Sequence, residues 1–119
     1  RVLVAGGRLA FTDWITHPAL SDGERARLHS WMAATTLQSL RTYRDLLGRA
    51  GFHAVGAEDL SAEWRPLLRR RLEMYRALRA HTVARFGHEH YEAYDQLYTF
   101  FVGLVDAGKL GGGRFTATR

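Results

Sequence analysis

The chain has no cysteine among its 119 residues. That excludes a disulfide framework, a thiolate metal site and a cysteine nucleophile. It holds no apolar run near the roughly 20 residues that span a bilayer. Its N-terminus lacks the basic segment, apolar stretch and small-residue cleavage site of a signal peptide. A cytoplasmic protein with no membrane partner is the expectation. The first residue is Arg1 and not Met, which points to a trimmed or partial chain. Acidic residues are also scarce in one place. Between Ala62 and Gly87 seven arginines face two glutamates, so this segment carries the whole formal excess of +5. A solvated arginine face on an amphipathic helix accounts for that. A basic helical module for nucleic acid is the alternative, tested by the salt dependence of binding.

What is present reads as α/β. Arg8 to Thr12 alternates as a strand that Asp13 ends, after a Gly6-Gly7 turn that closes a helix. Thr16-His17-Pro18 reads as a loop. Ser21 and Glu24 form a capping-box pattern for a helix over about 22–35. Ser39 caps a second helix with Leu40, Tyr43, Leu46 and Leu47 at helical spacing, and Gly51 stops it. Phe52 to Ala57 is a second strand. Ser61 caps a long third helix that runs to Gly87. A fourth spans about 89–107 and ends at Gly108. Gly111-Gly112-Gly113 is expected to be a flexible turn before a closing strand over 114–118. The helical crossover between the first two strands implies that they pair in parallel. An open sheet of three strands leaves an edge that a second copy could cover.

Several chemical motifs fail on inspection. GKLGGGR has its lysine before the glycines and a strand after them, the reverse of a phosphate loop. His88 and His90, two apart, point to different sides of a helix, so no metal site is expected. A Ser21, His17, Asp13 set has no supporting local signature. Asp13 and Trp14 follow a strand, where ligand crevices of open α/β sheets lie. A carboxylate and an indole there suit a ligand, a cationic one included. A turn aspartate and a packed tryptophan is the plainer reading. Tyr94 and Tyr98 share one helix with Tyr91, Phe100 and Phe101. They are core residues or the wall of a polar-tipped pocket.

The stretch VLVAGGRLAFTDW resembles the "vLkpGGrl…D" segment of class I S-adenosylmethionine-dependent methyltransferases, with Val4-Ala5 where Lys-Pro is common. SLRTYRDLLGRAGFHAVGAEDLS and VDAGKLGGGRFTATR resemble the two segments that follow in that family. The likeness is closest to small-molecule methyltransferases of the sarcosine/dimethylglycine and phosphoethanolamine groups. It implies the C-terminal half of a Rossmann-like methyltransferase sheet, three strands with the last antiparallel. It makes residues 1–119 one partial domain, with helical cap segments over 15–38 and 62–107. The intact parent would bind S-adenosylmethionine on a glycine-rich loop and an acidic strand end that are absent here. This chain would carry the acceptor side, would be inactive alone, and would take the missing N-terminal half as its partner. Asp13, Trp14, His17, Tyr43, Tyr94 and Tyr98 are the expected substrate-lining residues. No catalytic base follows from the sequence.

Overall fold

The computed structural model describes residues 3–119. Leu3 to Gly7 contain no helix. A turn closed by Gly7 N–H on the Val4 carbonyl leads into the sheet. Of the helix end expected there, Val2 lies outside the described residues.

The elements follow as β1 (Arg8–Thr16), α1 (Asp22–Met32), β2 (Gln38–Ser39), α2 (Leu40–Arg49), β3 (His53–Asp59), α3 (Ser61–Ala77), α4 (Arg79–Phe86), α5 (His88–Asp106) and β4 (Leu110–Thr118). The start signals work largely as the sequence suggests. Ser21 and Glu24 form a complete capping box, and the Ser39 side chain accepts from Thr42 N–H. Ser61 differs. It is the first helical residue of α3, and Leu60 caps without a side-chain bond. The side chain of Ser61 turns instead toward Asp59.

The sheet has four strands in the order β2-β1-β4-β3. The expected parallel pairing of the first two long strands is corrected. Both run antiparallel to β4, which lies between them. They share a direction without sharing a ladder. The fourth strand is the short β2, which pairs in parallel with Ile15 and Thr16 only. Residues 8–14 of β1 therefore have no strand on that side among the described residues.

Three further corrections shape the site. Asp13 does not end β1, which continues to Thr16, so Ile15, Thr16 and Gln38 at the margins of the 15–38 segment are strand and not cap. The long third helix breaks at Leu78, whose ψ of 15° turns the chain between α3 and α4. The Gly111-Gly112-Gly113 run is no turn. All three glycines are buried inside β4.

Two apolar groups hold the unit together. One lies on the sheet, where Ile15 and Phe115 are fully buried and the Tyr43 ring of α2 packs 5.0 Å from the Phe115 ring. The other joins α1, α3, α5 and the start of β4 through Leu28, Leu68, Leu72, Phe101, Val105 and Leu110. The outer side of the α3–α5 hairpin is tied by ion pairs, Arg69 to Asp106, Arg76 to Asp95 and Arg79 to Glu92. Those pairs occupy three of the seven arginines in the basic segment. Exposed pairs of this kind stabilise by roughly 0–1 kcal/mol each.

Candidate functional site

The two faces of β1 set the geometry. Alternation along the strand sends Asp13 and Ile15 to the α2 face and Trp14 to the α3–α5 face. Their partners across β4 are Gly113, Gly112 and Gly111. The glycines are needed for close approach. A Cβ at Gly112 would lie 2.3 Å from the Trp64 indole, and one at Gly111 would lie 1.7 Å from Ser61 Oγ. Trp64 thus lies directly against the strand. Its ring meets the Trp14 ring edge-on at 5.2 Å, and Trp14 meets Phe101 at 5.4 Å.

Asp13 is fixed on both oxygens. Oδ1 accepts from Trp14 N–H at 2.8 Å, and Oδ2 accepts from the Tyr43 hydroxyl at 2.7 Å. Burial pushes the Tyr43 phenol up to about 12, and the neighbouring carboxylate adds to this by holding the proton on the hydroxyl. Tyr43 is therefore a neutral donor at physiological pH. Beside this pair opens a cavity of ≈ 190 Å³ at the edge of β1, lined by Asp13, Trp14, Tyr43, Met32 and the linker 33–37. The linker forms its roof. Ala33 takes a left-handed φ of 52° to leave α1, and Arg25 Nη1 donates to the Leu37 carbonyl at 3.0 Å. A carboxylate, an indole and a phenol around one small cavity can hold a cationic or hydrogen-bond-donating molecule.

His17 lies elsewhere. It follows β1, and its Nε2 is 3.2 Å from Ser61 Oγ and 3.8 Å from Asp59 Oδ2. Ser61 in turn donates its hydroxyl and its backbone N–H to Asp59 Oδ1. The serine and the aspartate that meet His17 are thus Ser61 and Asp59, not Ser21 and Asp13. No local pattern signals this, because the three residues are joined only by the β1–β4–β3 order.

Tyr94 and Tyr98 do not line the Asp13 cavity. Tyr98 packs at 4.4 Å on Phe101, one ring removed from Trp14, and burial raises its phenol. Tyr94 is exposed on a separate groove of ≈ 440 Å³ with Trp31, His90 and Leu97. The structure therefore brings Asp13, Trp14 and Tyr43 together, sets His17 in a second cluster and leaves the α5 tyrosines apart. Trp64, absent from the sequence-derived set, is the residue that connects the Trp14 wall to β4. Its only sequence sign is a tryptophan one turn into a helix.

Among the described residues no group of histidines and carboxylates could hold a metal ion. A dinucleotide-type cradle also does not fit. Gly6-Gly7 leads into a strand, and the space above Gly111 and Gly112 is filled by Ser61 and Trp64. No helix among these residues is long and apolar enough to cross a membrane.

No protein-family model and no curated protein sequence matches the chain. Solved structures do. Phosphoethanolamine N-methyltransferase 2 of Haemonchus contortus, in complex with phosphomonomethylethanolamine and S-adenosylhomocysteine, superposes over 100% of this chain with a TM-score of 0.86 at 17% identity. A sarcosine dimethylglycine methyltransferase from Galdieria sulphuraria, itself described as putative, matches over 99% at 0.86 and 16% identity. A cyclopropane synthase of Mycobacterium tuberculosis matches over 99% at 0.82 and 17% identity. The chain spans 28%, 43% and 46% of those proteins respectively, less than half of each. The fold expectation holds at that level: the chain carries part of a Rossmann-like methyltransferase fold.

Proposed function

We propose that this chain is the acceptor side of an S-adenosylmethionine-dependent methyltransferase that acts on a small molecule. The observation that carries the reading is the Asp13–Trp14–Tyr43 cavity, built near the carboxyl end of β1 in a fold matched end to end by small-molecule methyltransferases. In this reading residues 1–119 form one partial domain. Its cap is made of α1 with its linker and of α3 to α5. The Asp13 carboxylate, held by Tyr43 and the Trp14 amide, receives the acceptor, and the Trp14 face bounds it. The ordered wall serves positioning and exclusion of water, the main tasks of such an enzyme.

The donor pocket belongs to residues outside this chain, since nothing described here cradles a nucleotide. The unpaired side of β1, residues 8–14, is where the remaining sheet would join. The chain alone is then inactive. Calorimetric titration of S-adenosylmethionine into the 119-residue chain tests this, with no measurable heat of binding expected. Tight binding would sink the claim that the donor pocket lies elsewhere. A second arm adds the rest of the protein, and cofactor binding should then appear.

A further inference from the structure

The walls of the cavity beside Asp13 differ in freedom. Trp14 is clamped between the Trp64 ring at 5.2 Å and the Phe101 ring at 5.4 Å. Tyr43 is fixed by its bond to Asp13 and by the Phe115 ring. Its hydroxyl also lies 3.4 Å from the Thr36 carbonyl, so one group touches both wall and roof. Leu37 is buried, and its carbonyl accepts from Arg25 Nη1. The alanines and threonines of the linker have short side chains. Met32 differs from all of these. It is the last residue of α1, half-buried, and it both packs on the Leu28 cluster and lines the cavity. Its unbranched thioether chain adapts to whatever gap the fixed walls leave.

We propose that Met32 is a specificity-determining residue that limits the acceptor at this cavity to a compact alkylammonium head. This rests on the acceptor-side reading above. The charge follows from the lining. Among the lining residues Asp13 is the charged one, and the Trp14 and Tyr43 rings stand beside it. A carboxylate next to aromatic faces favours a cation over a neutral group of the same shape. The Arg25 guanidinium is engaged by the Leu37 carbonyl at the roof. The size follows from the volume. A cavity of about 150 Å³ takes a benzene ring. The ≈ 190 Å³ here therefore suits a head of about seven non-hydrogen atoms.

The roof resists lifting to admit more. Glu24 of α1 pairs with Lys109 at 3.0 Å, which ties the helix to the turn before β4. Moving the linker would break the Arg25 bond to Leu37 and the Tyr43 contact with Thr36. A larger head must therefore displace the Met32 thioether. That side chain is backed by the Leu28 cluster, and a packed interior resists added volume. A shorter residue at 32 removes the stop, because the side chains around it stay pinned.

Calorimetry on the whole protein without cofactor tests the proposal with two ions. Tetramethylammonium falls inside the size limit and tetraethylammonium outside it. The wild type should prefer the smaller ion by roughly tenfold or more. Met32→Ala should bring the two within about threefold by tightening the larger ion. Met32→Leu, of similar volume, should keep the wild-type preference. Met32→Phe fills the cavity and should weaken the smaller ion roughly tenfold, a second reading if Met32→Ala loses its helical far-ultraviolet signal. Neutral tert-butanol should bind roughly tenfold more weakly than tetramethylammonium, and Asp13→Asn should erase that difference. A size preference indifferent to Met32→Ala or Met32→Phe overturns the proposal. So does a wild type that binds neither ion, or that binds tert-butanol equally well. Methyl transfer that ignores acceptor size overturns the proposal and leaves the methyltransferase reading standing. Intact size selection with no methyl transfer to any amine does the reverse.

Discussion

Asp13 and His17 stand four residues apart at the end of one strand, yet they are held in different ways. Asp13 faces α2 and the open edge of the sheet. One of its two anchors is its own neighbour, Trp14 N–H, and the other is Tyr43. His17 reaches across β4 to Ser61 and Asp59, more than 40 residues on. The first cluster fixes a carboxylate beside a cavity. The second ties an imidazole, a hydroxyl and a carboxylate together. Both lean on β4, whose glycines let an indole and a serine lie where side chains would otherwise stand. A run of three glycines in β4 is thus the common support of two polar sites with different chemistry.

The largest effect is expected between the clusters. Gly112→Leu forces a side chain into the Trp64 indole and pushes it off Trp14. Overpacking of this kind costs about 3 kcal/mol. A urea melt should show the loss, and the Asp13–Tyr43 bond should weaken with it. A stability equal to wild type would mean that Trp64 is not seated on the strand.

Tyr43→Phe separates the two clusters. It removes one partly buried hydrogen bond and should cost about 1–2 kcal/mol, because the acceptor is charged. It should leave the contact between His17 and Ser61 untouched. The same residue gives a pH signature. A phenol that titrates at about 12 in the fold and near 10 when unfolded stabilises the native state fully below pH 10. That contribution fades as pH rises through about 12. Stability should therefore fall in this alkaline window in wild type and fall less in Tyr43→Phe. Asp13→Asn should return the phenol toward its ordinary value, read by ultraviolet titration.

Ser61→Ala is the corresponding cut in the second cluster, with about 1 kcal/mol expected, because its bond to the charged Asp59 carboxylate is exposed to water. It should not move the Tyr43 titration. The smallest effect belongs to the roof. The Glu24 carboxyl is held below its ordinary value, first by the Ser21 backbone N–H and then by Lys109. What this adds is present above the usual carboxylate range and disappears as pH falls through the lowered value. Glu24→Gln should speed amide exchange in α1 and in the linker 33–37, and leave β1 and β4 unchanged.

The local features of the fold were legible. Ser21 and Ser39 cap helices, and Gly51 and Gly108 stop them with φ of 92° and 71°. The errors in the sheet came from long-range causes. Three glycines in a row read as a turn because glycine is locally permissive, but Trp64 and Ser61 from a distant helix make them strand. β4 enters between β1 and β3, so strands joined by a crossover need not touch. The break at Leu78 has no glycine or proline to mark it. At the site, Asp13 and Trp14 were visible as residues at a strand end, and Tyr43 as a polar tip on an apolar helical stripe. Asp59 and Ser61 were invisible as partners of His17, since no spacing rule joins residues across an intervening strand.

The central claim is that the Asp13 cavity receives the acceptor while the donor is held elsewhere. Its direct test is methyl transfer from S-adenosylmethionine to a panel of small amines by the whole protein, wild type against Asp13→Asn. Loss of a charged hydrogen-bond partner should lower kcat/KM for the acceptor roughly tenfold to a hundredfold and leave the cofactor Kd unchanged. Unchanged turnover, or a loss that appears in cofactor affinity alone, would contradict the account.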